Sequence, residues 1–184
     1  MHPYSMNRLK NALLVLLTLL IVACASWNPD RTAQADREAR LAITEFRKHD
    51  PSLKNFFDKA YAFAIFPAVG KGGIGIGGAH GSGVVYRHGH MIGLTSVTQV
   101  TIGWQLGGES YRELIFFENA QALNAFKSGN LKFSAQASAV AATTGAAAKT
   151  SYANNMAVFT LIRGGLMYEA SVGGQSFSFE PVKE

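Results

Sequence analysis

Apolar residues recur at three- and four-residue spacing in the first part of the chain and at every second residue further on. Ala39, Ala42, Ile43 and Phe46 mark one face of a helix that Asp30 can cap and that ends before Pro51. Asp50-Pro51 reads as a second cap with a first-turn proline, followed by Leu53, Phe56, Phe57 and Ala60 at i, i+3, i+4 and i+7 of a short helix. A face this apolar needs a partner. Packing on the rest of the fold is the commoner use of such a stripe, and dipping of Phe56 and Phe57 into a bilayer is the alternative.

From Tyr61 the period changes to two and β-favouring residues dominate: 61–66, 83–86, 91–101 and 111–117 read as strands, with Arg87-His88-Gly89-His90 as a hairpin link. Thirteen of the nineteen glycines fall between Gly70 and Gly108, alternating with Ile74, Ile76 and Val84, so they belong to strands rather than to a linker. Glycine inside a strand marks a bulge, a bend or close backbone approach, and a Cβ at Gly75 or Gly77 is expected to enter such a site. Asn119 caps a third helix through Leu123 and Phe126, stopped at Ser128-Gly129-Asn130. Residues 133–148, with eight alanines and no charge before the closing Lys149, are compatible with helix by propensity and with strand by alternation. Gly164-Gly165 between two apolar runs is a short hairpin signal, and Phe177 and Phe179 share one face of a last strand. The fold class is α+β, mainly β: a compact curved antiparallel sheet, or a closed barrel or sandwich, with N-terminal helices and one inserted helix.

The stretch preceding the first helix has a different logic. Arg8 and Lys10 precede an apolar run from Ala12 to Ala23, too short for an ordinary membrane span, and the run ends in Ile21-Val22-Ala23-Cys24. This resembles a bacterial lipobox. On that reading 1–23 is a lipoprotein signal peptide, 24–29 a lipidated tether, and 30–184 a single domain. Cys24, the one cysteine of the chain, then carries the covalent lipid anchor, and Ala25 in place of an aspartate resembles lipoproteins sorted to the outer membrane, facing the periplasm. One cysteine also excludes an internal disulfide and a C-x-x-C redox pair. Loss of Arg8 and Lys10 lowers the formal net charge from +5 to +3, and this modest charge, together with export, disfavours nucleic acid as a partner.

Phe66-Pro67-Ala68-Val69 running into Gly72-Gly73-Ile74-Gly75-Ile76-Gly77-Gly78, with Gly81-Ser82-Gly83-Val84-Val85-Tyr86, resembles the opening signature of the SYLF lipid-binding domain. Ile102-Gly103-Trp104-Gln105-Leu106-Gly107-Gly108 and Leu161-Ile162-Arg163-Gly164-Gly165-Leu166 are similar to later blocks of that family in the same order. The resemblance covers roughly residues 40 to 180. It implies binding of membrane lipids with anionic, phosphoinositide-like headgroups, and for the fungal members an association with actin. Where a Gly-Pro turn followed by Arg is common in the family, this chain has Thr144-Gly145-Ala146 and Lys149.

Enzyme motifs fail in their context. Gly73, Gly75 and Gly78 satisfy G-x-G-x-x-G, but a strand follows where a dinucleotide site needs a helix N-terminus. His88 and His90 at i, i+2 with His80 lack a nearby acidic ligand and read as solvated side chains beside turns, so no metal and no other cofactor is expected. Glu109, Glu113 and Glu118 read as a solvated, partly ion-paired face rather than a catalytic pair. The expected function is a non-catalytic, membrane-tethered module of the cell envelope that binds anionic phospholipid headgroups through Lys71, Arg87, Lys132, Lys149 and Arg163. An envelope scaffold binding a protein or cell-wall polymer is the alternative.

Overall fold

The computed structural model describes residues 29–129, 140–141 and 143–182. Cys24, Lys132 and half of the alanine-rich stretch 133–148 lie outside them. Helix α1 (Pro29–His49) buries the expected stripe, with Ala39, Ala42 and Phe46 against the sheet, and places Arg47, Lys48 and His49 at the negative end of its dipole. Asp50 ends it and caps the 3₁₀ turn Pro51–Leu53, accepting from the Ser52 amide at 3.0 Å and the Ser52 hydroxyl at 2.6 Å. The same buried carboxylate accepts from the amides of Gly145 at 3.0 Å and Ala147 at 2.7 Å, so it fastens the helical lead to the 3₁₀ turn Ala147–Lys149. Burial pushes the Asp50 carboxyl up, but the bonds from Ser52, Ala147 and Gly145 outweigh it and hold the group below the ordinary carboxylate value.

Helix α2 (Lys54–Lys59) lies on an aromatic floor. The Phe56 ring stacks on Phe116 at 5.2 Å and meets Phe159 and Tyr152 edge-on, while Phe57 packs against Phe63 and Phe116 beneath the Arg47 guanidinium. Phe56 is a core residue, and Phe57, partly buried, packs against that core. Each large apolar side chain buried in this way contributes about 1.5–3 kcal/mol, which is why the short α2 holds its place without strong intrinsic helicity.

The sheet has the order β1-β2-β4-β3, with β1 (Ala62–Arg87), β2 (His90–Phe117), β3 (Val140–Ala141) and β4 (Met156–Pro181). Pairing is antiparallel except between β3 and β4, and the sheet is not closed, so the fold is mainly-β α+β in its curved-sheet form rather than a barrel. Two sequence readings change here. The separate strands 61–66 and 83–86 are one strand, as are 91–101 and 111–117, because the glycine-rich stretch between them stays paired throughout. Gly164-Gly165 is no hairpin: β4 runs on through it with a bulge opposite Ser110 and Tyr111, and Gly165, at φ +96°, lies so close to the Gly108 carbonyl that a Cβ would overlap it. The link at His88-Gly89 is the tight hairpin turn expected, both residues having positive φ, and Asn119 caps α3 (Ala120–Lys127) by accepting from the Ala122 amide at 3.0 Å.

Strands of this length fold back on themselves. The backbones of Gly73 and Gly77 come together within β1, and the Thr101 and Gln105 side chains meet within β2. Beyond this bend the second limb of β1 crosses the first: a Cβ on Gly83 would sit 2.5 Å from the Ile65 carbonyl oxygen, and one on Gly81 would sit 2.6 Å from that of Ala68. Phe66, Val69, Val85, Val97, Tyr111, Ile115 and Phe177 fill the space between the limbs, closed by Leu123 and Phe126 of α3. The outer face of the sheet carries a second core under α1 and α2, built on Phe46, Leu53, Phe116 and Phe159.

Candidate functional site

The bend inverts the usual alternation of a sheet. On β2, Val100, Ile102, Trp104 and Leu106 share the outer face and are 51–67% exposed, whereas Thr101 and Gln105 between them are buried on the inner face. Ile74 and Ile76 of β1 extend the same outer band and are 80% and 68% exposed. In register, Ile74 faces Leu106 and Ile76 faces Ile102, so Gly75 on the inner strand is passed by Gly103, Trp104 and Gln105 on the outer one. That difference in length bends the ribbon, and Gln105 holds it. Its side-chain oxygen accepts from the Thr101 hydroxyl at 2.7 Å, and its Nε2 donates to the carbonyls of Gly75 at 3.1 Å and Thr101 at 3.2 Å. With its polar groups satisfied inward, the bend shows solvent a contiguous apolar surface.

Charge lies along the same face. Arg112, six residues from Leu106 on β2 and of the same parity, is therefore about 20 Å along the strand from the band. Arg163 of β4 stands next to it. The Arg112 guanidinium is lowered from its ordinary value, first by burial and then by the neighbouring charge of Arg163, with Glu45 of α1 opposing. Neither arginine forms an ion pair among the described residues. Lys71 is closer to the band, three residues from Ile74, paired in register with Glu109 and engaged with a partner.

The remaining expected cations are elsewhere. Arg87 lies at the hairpin turn, eleven residues or about 36 Å along the strand from Ile76. There it lines a surface cavity of about 420 Å³ with His88, His90, Lys127 and Phe179. Lys149 lies in the 3₁₀ turn that Asp50 fastens. The structure thus places Lys71 near the bend and Arg163 beside Arg112, about 20 Å along the strand from the band, while Arg87 and Lys149 stand apart; Lys132 and Cys24 are outside the described residues. Arg112 has a sequence signal, since it shares parity with the outer-face residues Leu114 and Phe116, but that pattern alone does not pair it with Arg163.

Other candidate chemistry resolves into structure. His80 Nδ1 is 3.3 Å from the Thr98 hydroxyl on the second limb, and His88 makes an edge contact with Tyr61 at the hairpin end, so His80 stands apart from His88 and His90. Among the described residues no group of three or more metal-ligating side chains comes together. Glu113 corrects the reading of a solvated acidic face. It is buried between the limbs, its carboxyl pushed up to about 7 by burial against a lowering hydrogen bond from Gln175, and its parity with Tyr111, Ile115 and Phe117 is the signal for that placement.

Residues 98–181, from the outer strand of the bend through β4, match the family described as "Ysc84: Las17-binding protein actin regulator". The chain is also similar to "Beta cell expansion factor A" of Aeromonas veronii, at 25% identity over 154 residues that cover 77% of this chain and 57% of the relative. It therefore spans little more than half the length of that relative. Over residues 98–181, a little under half of the chain, the sequence is thus similar to the Ysc84 (SYLF) family, and the blocks at 102–108 and 161–166 lie within the matched stretch.

Proposed function

We propose that this chain is a non-catalytic lipid-binding module of the bacterial cell envelope that recognises anionic phospholipid headgroups. Cys24 supplies a covalent lipid anchor to the outer membrane, and the domain faces the periplasm. The observation that supports headgroup recognition is the Arg112–Arg163 pair: two guanidiniums side by side at the surface, one partly desolvated and neither neutralised by an ion pair among the described residues. A phosphate bound between them relieves their repulsion and accepts from both planar forks, whereas Glu45 acts on Arg112 without forming an ion pair with it. Lys71 near the bend adds to the same attraction, each cation near an anionic membrane being worth about 1 kcal/mol.

Competition between vesicles tests this independently of the anchor. Offered phosphatidylcholine vesicles and phosphatidylglycerol-containing vesicles that can be separated, the full chain is expected to prefer the anionic ones. Salt should weaken the preference, because charge attraction is screened over about 10 Å at 0.1 M. Replacing Arg112 and Arg163 together by Gln should remove most of it. Equal distribution at low salt overturns the headgroup reading and moves the envelope scaffold, binding a protein or cell-wall polymer, to first place.

A further inference from the structure

We infer that the apolar band at the sheet bend is a membrane-insertion surface, and that its occupant is the interfacial region of one bilayer leaflet. The inference rests on the membrane reading above and adds which residues enter the lipid and how the domain is oriented. Ile74, Ile76, Val100, Ile102, Trp104 and Leu106 are each more than half exposed, although within 100–106 the residues buried between them include the polar Thr101 and Gln105. An ordinary water-facing bend would carry the reverse pattern. The inner hydrogen bonds of Gln105 leave no need for these side chains to hold the bend together, so their exposure is not incidental to its closure.

Charge complementarity selects the occupant. On β2 the outer face reads apolar from Val100 to Leu106, small and polar at Gly108 and Ser110, then cationic at Arg112 beside Arg163. Laid along a bilayer, this order sets the band among the uppermost acyl-chain carbons just below the headgroups and the arginines over the headgroups, where anionic phosphate meets them. Trp104 within the band suits the interface, being apolar in body with one N–H donor. A second copy of the chain would set Arg112 and Arg163 against the same two cations, whereas a leaflet sets anionic phosphates against them.

Trp104 reports its own depth. The chain has two tryptophans, and Trp27 lies in the tether, so Trp27→Phe leaves Trp104 as the single emitter without touching the domain. On phosphatidylglycerol/phosphatidylcholine vesicles whose acyl chains carry bromines at shallow or deep positions, emission of the full chain is expected to shift to the blue. Shallow bromines should quench it several-fold more than deep ones. Ile76→Ser with Ile102→Ser, both at exposed positions, should abolish the quenching while the anionic preference remains. Solvent-like, unquenched emission from vesicle-bound protein overturns insertion and leaves headgroup recognition standing, whereas protein that ignores the vesicles overturns both. Near-complete disulfide dimerisation through Ile76→Cys on vesicles overturns the inference in favour of a second copy.

Discussion

Gln175 on the second limb of the folded sheet donates a 3.2 Å hydrogen bond to Oε2 of Glu113 on the first, and the other carboxyl oxygen of Glu113 is buried with no partner among the described residues. Among the described residues no cation bears on this group, so burial dominates and its proton is held up to about pH 7, against an ordinary value of 4.5. Between those two values the unfolded chain gives up the proton while the folded chain keeps it. Stability is therefore full below about pH 4.5, falls as pH rises, and levels off above about 7, a loss of roughly 3 kcal/mol. Glu113→Gln should keep the bond to Gln175, raise the melting temperature at pH 8 and remove this slope. Parallel pH profiles for the two proteins would show that Glu113 is not the titrating group.

Asp50 works in the opposite direction. Its carboxylate accepts from Ser52, Gly145 and Ala147, so Asp50→Ala leaves at least two backbone amides without their acceptor and should cost about 3 kcal/mol in denaturant unfolding. Because the folded pKa is depressed, the stabilisation is present above the ordinary value of 3.8 and disappears as pH falls through the folded value. The difference between wild type and Asp50→Ala should accordingly shrink in acid. A constant difference down to low pH would assign the loss to packing rather than to the charge.

What was legible in the sequence were features fixed by local chemistry. The caps at Asp50 and Asn119, the turn at His88-Gly89 and the stripe Ala39-Ala42-Phe46 depend on neighbours a few residues away. The bend is not of this kind. Ile102, Trp104 and Leu106 alternate as any half-buried strand would, and alternation does not say which side faces water until the rest of the chain has chosen. Gly164-Gly165 shows the same limit, since two glycines serve a bulge as readily as a turn, and the paired length of β2 decides between them. The association of Arg112 with Arg163 arises from strand pairing across fifty residues, which no local pattern encodes.

Membrane attachment provides a separate prediction. If Cys24 is the acylated residue of a lipobox, Cys24→Ala should leave the unfolding of the domain unchanged, since the residue precedes α1, and should block acylation and signal cleavage. Intact-mass analysis of the membrane-extracted wild type should show a chain beginning at a lipidated Cys24. An unmodified chain retaining residues 1–23 would reject the lipoprotein assignment.

Gly75 and Gly77 separate two reasons for a glycine within one bend. A Cβ on Gly77 would overlap the Gln105 side-chain oxygen and approach the Thr101 hydroxyl at 2.9 Å, so Gly77→Val must displace the polar pin and should destabilise by several times the cost of a typical surface change. Gly75 has open space around it but sits at φ +70°, where a β-branched side chain is strained. Gly75→Asn should then be tolerated far better than Gly75→Val, because asparagine accepts a left-handed backbone, whereas neither substitution is accommodated at Gly77. The bend also positions the exposed band, so loss of the pin should be visible beyond thermal unfolding. Gln105→Leu, which fills the volume without the hydrogen bonds, should change Trp104 emission in the folded protein. Equal tolerance of Asn and Val at Gly75, together with unchanged unfolding of Gly77→Val, would show that the bend is held by something other than Gln105 and the backbone at Gly75.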